Sequence, residues 1–92
     1  MADSTPNDAS ALALMALATA LSDERRARRF LDLTGIGTEE LRSRAGDPVL
    51  LAALIRFLEG YEPDLLAVAE AMEVTPAMLV AARCKLEELE PE

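Results

Sequence analysis

No stretch of the chain narrows the possible folds as far as the run Asp47-Pro48-Val49-Leu50-Leu51-Ala52-Ala53-Leu54-Ile55-Arg56-Phe57-Leu58-Glu59-Gly60. It carries its own start and stop signals. Asp47 is placed to accept the free amides of a first helical turn, and Pro48 follows where a helix tolerates proline. Gly60 is the residue expected to turn left-handed and end the helix. At 100° per residue, Ala52, Arg56 and Glu59 share one narrow stripe, expected to face solvent. Val49, Leu50, Leu51, Ala53, Leu54, Ile55, Phe57 and Leu58 cover the remaining circumference. A helix that is apolar nearly all round has to be surrounded. The run therefore predicts the central helix of a small bundle, with Phe57 in the middle of its broad apolar face.

What surrounds it must also be helical. Apolar residues make up 51% of the 92, yet only Phe30, Phe57 and Tyr61 are aromatic, so the core is built of Leu, Ala, Val, Ile and Met. These residues, with Arg and Glu, favour helices, and no run of β-branched or aromatic residues alternates with period two. The chain suffices for one core without metal or disulfide staples. The fold expected is all-α: a compact bundle of five to six short helices, with a flexible tail over residues 1–7, a single domain over 8–89 and an acidic tail over 90–92.

In chain order, the first helix is expected over residues 8–21. Leu14, Leu17 and Leu21 form one seam, Leu12 and Met15 lie nearly opposite, and Ala9, Ala13, Ala16 and Ala20 line a third side. No charge interrupts it between Ala9 and Leu21. Because it comes early, beside a polar tail, the helix is expected at the periphery with the longer leucine seam inward. Leu12 and Met15 would then be exposed and form the candidate interface, for self-association or for a protein partner. The alternative is a bundle that wraps this helix completely.

Ser22 is the expected N-cap of a second helix ending at Gly35, with Ala27, Phe30, Leu31 and Thr34 inward and Arg25, Arg28 and Arg29 outward. Glu24–Arg28 and Arg28–Asp32 have ion-pair spacing. Thr38 is the expected cap of a short helix over residues 39–45, which Gly46 stops. After the central helix, a fifth helix is expected over residues 63–72, with Leu65, Val68, Ala69 and Met72 inward. Thr75-Pro76 opens a sixth, running to residue 89, with Leu79, Ala82, Leu86 and Leu89 inward.

Little in this chain can carry catalysis. It has no histidine and one cysteine, which removes the usual zinc and iron ligand sets and the Ser–His and Cys–His nucleophile pairs. The acids lie at helix starts, helix ends and the C-terminal stretch, where capping and solvation account for them. Gly35-Ile36-Gly37-Thr38 lacks a preceding strand and a third glycine, so it reads as a helix end and a loop rather than a phosphate cradle. Cys84 reads as a part-buried core residue, and a single cysteine suits a reducing compartment. No signal peptide is expected, and the first apolar run is too short to span a bilayer. The protein is expected in the cytoplasm, without enzymatic activity, metal or cofactor.

Charge separates the two binding functions left. The net charge is −8, which opposes nucleic acid as a partner. It is uneven: residues 22–46 hold six arginines against five acids, whereas residues 59–92 hold nine acids against two bases. The only basic patch in the sequence is Arg25, Arg28 and Arg29, which either forms a solvated face or contacts an acidic partner. The last two helices have the spacing of a helix-turn-helix in Ala69, Val74 and Leu79. Glu73 stands where glycine is usual in that turn, and the second helix opens Pro76-Ala77-Met78-Leu79, without a polar side chain for base edges. The preferred function is a small protein-interaction or adaptor module, with a helix-turn-helix nucleic-acid-binding regulator as the alternative.

Three runs carry a family resemblance. Arg29-Phe30-Leu31-Asp32-Leu33-Thr34-Gly35, Leu41-Arg42-Ser43-Arg44-Ala45-Gly46-Asp47-Pro48, and Phe57-Leu58 followed by Glu62-Pro63 resemble the small alphaproteobacterial domain-of-unknown-function family 3572. The likeness extends from the first helix to about Leu86. It implies a bacterial cytoplasmic protein with no assigned activity, and points toward a regulatory role. It transfers no functional residue.

Overall fold

The computed structural model describes residues 6–89, and the side-chain surroundings of residues 9–88. Six helices follow one another: α1 (Pro6–Leu21), α2 (Glu24–Thr34), α3 (Thr38–Ser43), α4 (Pro48–Glu59), α5 (Glu62–Met72) and α6 (Pro76–Leu89). There is no strand among the described residues. The remainder of the expected N-terminal tail, and the acidic tail over 90–92, lie outside them. A radius of gyration of 12.4 Å matches the roughly 12 Å of a globule this long.

α4 is the buried centre that its sequence predicts. Asp47 Oδ1 accepts from the Val49 amide at 2.9 Å, and Leu50, Leu51, Leu54, Ile55 and Leu58 are buried. α1, α5 and α6 all lie against it. Several expectations on this helix fail, beginning with Val49, which is expected within the enclosed apolar circumference and is 43% exposed. Ala52 is buried rather than exposed beside Arg56, because α6 lies along that side. Phe57 is only half-buried, at the edge where α2 and α5 approach.

α1 is the larger correction. It is not peripheral: it touches α2, α4, α5 and α6. Ala9, Ala13, Ala16 and Ala20 face inward, with Ala13 and Ala16 at 0% exposure. Alanine loses no side-chain entropy on burial and lets helix axes approach closely. A helix met on several sides has no room for a leucine seam at its centre. Leu12 and Leu17 flank the alanine stripe, about 70° to either side at 100° per residue. Leu12 packs half-buried against the core, whereas Leu14, expected inside, stands 44% exposed.

The connections show where local signals hold. Thr75 Oγ1 accepts from the Met78 amide at 3.1 Å, as its position before Pro76 predicts. Gly35 ends α2 at φ 74°, with its amide donating to the Leu31 carbonyl. Asp23, not Ser22, caps α2, accepting from the Arg26 amide at 3.0 Å, while the Ser22 hydroxyl donates to the Thr19 carbonyl at the end of α1. Gly37 rather than Thr38 precedes α3, which stops at Ser43. Gly60 is not left-handed: at φ −72° it carries the helical turn onward, and extended Tyr61 makes the corner into α5. Glu73 does take the left-handed conformation, at φ 61° and ψ 41°. Its amide donates to the Glu70 carbonyl and that of Val74 to Ala69, a Schellman closure built without glycine. α5 and α6 leave this turn 99° apart.

Candidate functional site

Two surfaces gather the side chains that sequence reading singled out. The first is where α2, α4 and α5 meet. Phe30 of α2 is buried and meets the Phe57 ring edge-on, with centroids 5.3 Å apart at 64°. Beside it lies Asp64, 5% exposed, the one buried charged side chain among the described residues. Asp64 occupies the first turn of α5, where the helix dipole favours a carboxylate. It accepts from Arg26 Nε at 3.0 Å and from Arg29. The Arg29 guanidinium lies 5.4 Å from the Phe57 ring centroid and 5.5 Å from that of Tyr61. Aromatic faces attract a cation at this range. Three helices are therefore clasped by one carboxylate, two guanidinium groups and three rings.

This divides the predicted basic patch. Arg29 is engaged in the clasp, while Arg25 and Arg28 remain on the outer face of α2. The expected Glu24–Arg28 and Arg28–Asp32 pairs are not formed among the described residues, and Arg25 has no partner there either. Shallow grooves run on both sides of Arg29, one lined with Asp32, Leu33 and Phe57, the other with Tyr61. Leu33 is 71% exposed and Tyr61 54%. Sequence reading missed Arg26 and Asp64. An acid at the start of a helix reads as a capping or dipole residue, and the arginines that bury this one lie 35 and 38 positions earlier.

The second surface is the outer side of α1. Ala11, Leu14, Met15 and Ala18 form an exposed row with no charged side chain on it. Met15, at 56% exposure, stands outside as expected. Leu12 does not, and Leu14 takes its place.

Of the two bases on the α5–α6 hairpin, Arg83 is held in ion pairs and Lys85 is exposed. Arg83 grips the Glu59 carboxylate through Nε at 2.7 Å and its second terminal nitrogen at 3.1 Å, and donates to Glu87 at 3.1 Å. Arg56 Nε donates to the same Glu87 at 2.6 Å. The pair with Glu59 chiefly raises the pKa of Arg83. Hydrogen bonding from Arg56, then Arg83, holds the Glu87 carboxyl below its ordinary value. Cys84, expected to be part-buried, is exposed on α6. Among the described residues, no three His, Cys, Asp or Glu side chains gather as a metal-ligand set. No single described helix is long and apolar enough to cross a membrane.

The fold defines an all-helical bundle with an arginine–aromatic clasp on one side and an uncharged apolar row on α1. The chain matches the family described as protein of unknown function DUF3572 over residues 6–89, nearly its whole length, and belongs to that family. No curated protein and no solved structure matches it.

Proposed function

We propose that this is a small, non-enzymatic, cytoplasmic protein-interaction module of the adaptor kind, and that the outer row of α1 takes part in the contact. The observation that carries the reading is the exposure of Leu14 and Met15 on a row without a charge. A solvated helix ordinarily turns a polar face outward, and contiguous exposed apolar side chains mark contact surfaces. Ala11 and Ala18 beside them are small enough to admit another helix closely. The non-enzymatic reading is supported by the occupation of Glu40, Asp47, Glu59, Asp64 and Glu87 in ion pairs.

The test is the double substitution Leu14→Asp with Met15→Asp. It should leave the melting temperature nearly unchanged, and lower the mass measured by light scattering or abolish retention of a defined protein captured from the native cell. Unfolding of the double variant, or unchanged mass and unchanged capture, contradicts the reading.

A helix-turn-helix regulator is the second reading. It is favoured by the 99° angle between α5 and α6 and by the left-handed Glu73 in the turn. The apolar start of α6 and the capture of Arg83 by Glu59 and Glu87 weigh against it. Binding to random duplex DNA at physiological salt should be undetectable, whereas tight binding lost in Lys85→Ala would promote this alternative.

A further inference from the structure

We propose that α2 is a displaceable strap, and that the groove it fills against α4 and α5 binds a partner helix carrying α2's own pattern: two arginines three residues apart and a phenylalanine directly after the second. The residues are not those of the α1 row, so the two proposals stand or fall separately.

The core holds together without α2. Every pair among α1, α4, α5 and α6 packs together, whereas α2 lies closely only on α1, its neighbour in the chain. Between Leu21 and Leu50, Phe30 and Leu41 alone are buried. On α4, six residues of twelve are buried. A segment with few buried apolar contacts opens at a lower free energy than the globule as a whole. The ends of α2 suit such a motion. Ser22 and Asp23 join it to α1, and Gly35, Ile36 and Gly37 separate it from α3. α2 can therefore lift while α1 and α4 keep their places.

What α2 covers is specific. Phe30 meets Phe57 edge-on, and Asp64 accepts from Arg26 and Arg29. Positions 26, 29 and 30 follow the i, i+3, i+4 spacing that puts side chains on one helix face. Lifting α2 removes Arg26 and Arg29 together and leaves Asp64 with no counter-charge among the described residues. Asp64 stays in the first turn of α5, where the helix dipole favours its ionised form. Guanidinium groups are the strongest hydrogen-bonding partners of such a carboxylate. The vacated groove thus offers one unpaired carboxylate beside one aromatic ring, and charge selects an arginine-bearing helix to fill it. While closed, α2 excludes that helix, because a tethered competitor acts at high effective concentration. The apparent affinity of the partner is its intrinsic affinity reduced by the open fraction, so α2 is an autoinhibitory contact.

The experiment uses the whole chain, labelled with nitrogen-15, and a synthetic peptide of residues 23–35. In the parent, hydrogen-exchange protection of α2 amides should lie about tenfold or more below that of α4 and α6. Arg29→Ala and, separately, Phe30→Ala in the chain loosen the strap. Each should bind the unaltered peptide about tenfold or more tightly than the parent does, with shifts at Phe57 and in the first turn of α5. The peptide carrying Arg26→Glu and Arg29→Glu should bind neither. Where Phe30→Ala fails to fold, Arg29→Ala decides. Equal protection of α2, α4 and α6, no binding by Arg29→Ala at millimolar peptide, or equal affinity in parent and variant overturns the proposal. So does equal binding of the glutamate peptide. A mass of two chains for Arg29→Ala alone assigns the groove to the α2 of a second copy, and overturns it as well.

Discussion

Gly35 and Gly60 both follow a helix, yet only one of them needs to be glycine. Gly35 lies at φ 74°, where a side chain is strained whatever the space around it. Gly60 lies at φ −72°, and a Cβ there would meet the Phe57 carbonyl at an ordinary 3.5 Å. Gly35→Ala should therefore cost about 1 kcal/mol, and Gly60→Ala should be neutral or stabilise by about 0.4–1 kcal/mol, as chemical denaturation will show. Glu73 is the converse: a non-glycine residue at φ 61°, so Glu73→Gly should stabilise by up to about 1 kcal/mol. A loss of stability would show that its side chain contributes more than the strain costs. Caps such as Asp47, Thr75 and Gly35 are legible because the partner atoms lie within four residues. Which of Gly60 and Tyr61 makes the corner depends on the direction in which α5 leaves, and that is set by tertiary contacts. Asp64 is illegible for the same reason. Asp64→Ala should cost about 3 kcal/mol in a melt, since it strands the mostly buried Arg26 without its counter-charge.

Between elements, the clearest ionic tie is the chain Arg56–Glu87–Arg83–Glu59, which fastens α6 to α4. Arg56 and Arg83 hold Glu87 below its ordinary carboxylate value in the folded chain. Unfolded chains thus take up this proton first as the solution becomes acidic. The contribution is complete above the ordinary carboxylate range and is lost as pH falls through the folded value. Melting temperature should drop on the acid side, and Glu87→Gln should flatten that limb relative to the parent. Identical slopes would show that Glu87 contributes nothing there. Asp23, lowered by the Arg26 amide, adds to the limb with the same sign. Neither tie of Glu59 or Arg56 to α6 follows from spacing alone: the i,i+4 pairs on α2 that spacing favours are not formed, while contacts across 24 and 31 positions are.

At the scale of the molecule, composition and periodicity are enough to give an all-helical bundle with α4 inside, because a helix apolar over most of its surface has no other place. They do not give the rotation of α1. Leucine ranks above alanine as a core residue when each residue is weighed alone, and that ranking turns Leu14 inward. The bundle instead brings other helices up to α1, and closeness favours alanine. The candidate interface shifts accordingly, from Leu12 and Met15 to Leu14 and Met15.

The rotation of α1 sets which side chains any partner can meet, and thermal denaturation of Ala16→Leu beside Leu14→Ala tests it most directly. Ala16 is wholly enclosed, so added bulk there should cost about 1–3 kcal/mol. In a domain of this size that lowers Tm by roughly 4–8 °C per kcal/mol. Leu14→Ala, at a side chain nearly half exposed, should change stability by less than about 1 kcal/mol. A large loss from Leu14→Ala together with an unchanged Ala16→Leu would place the leucine seam inside and remove the outward apolar row.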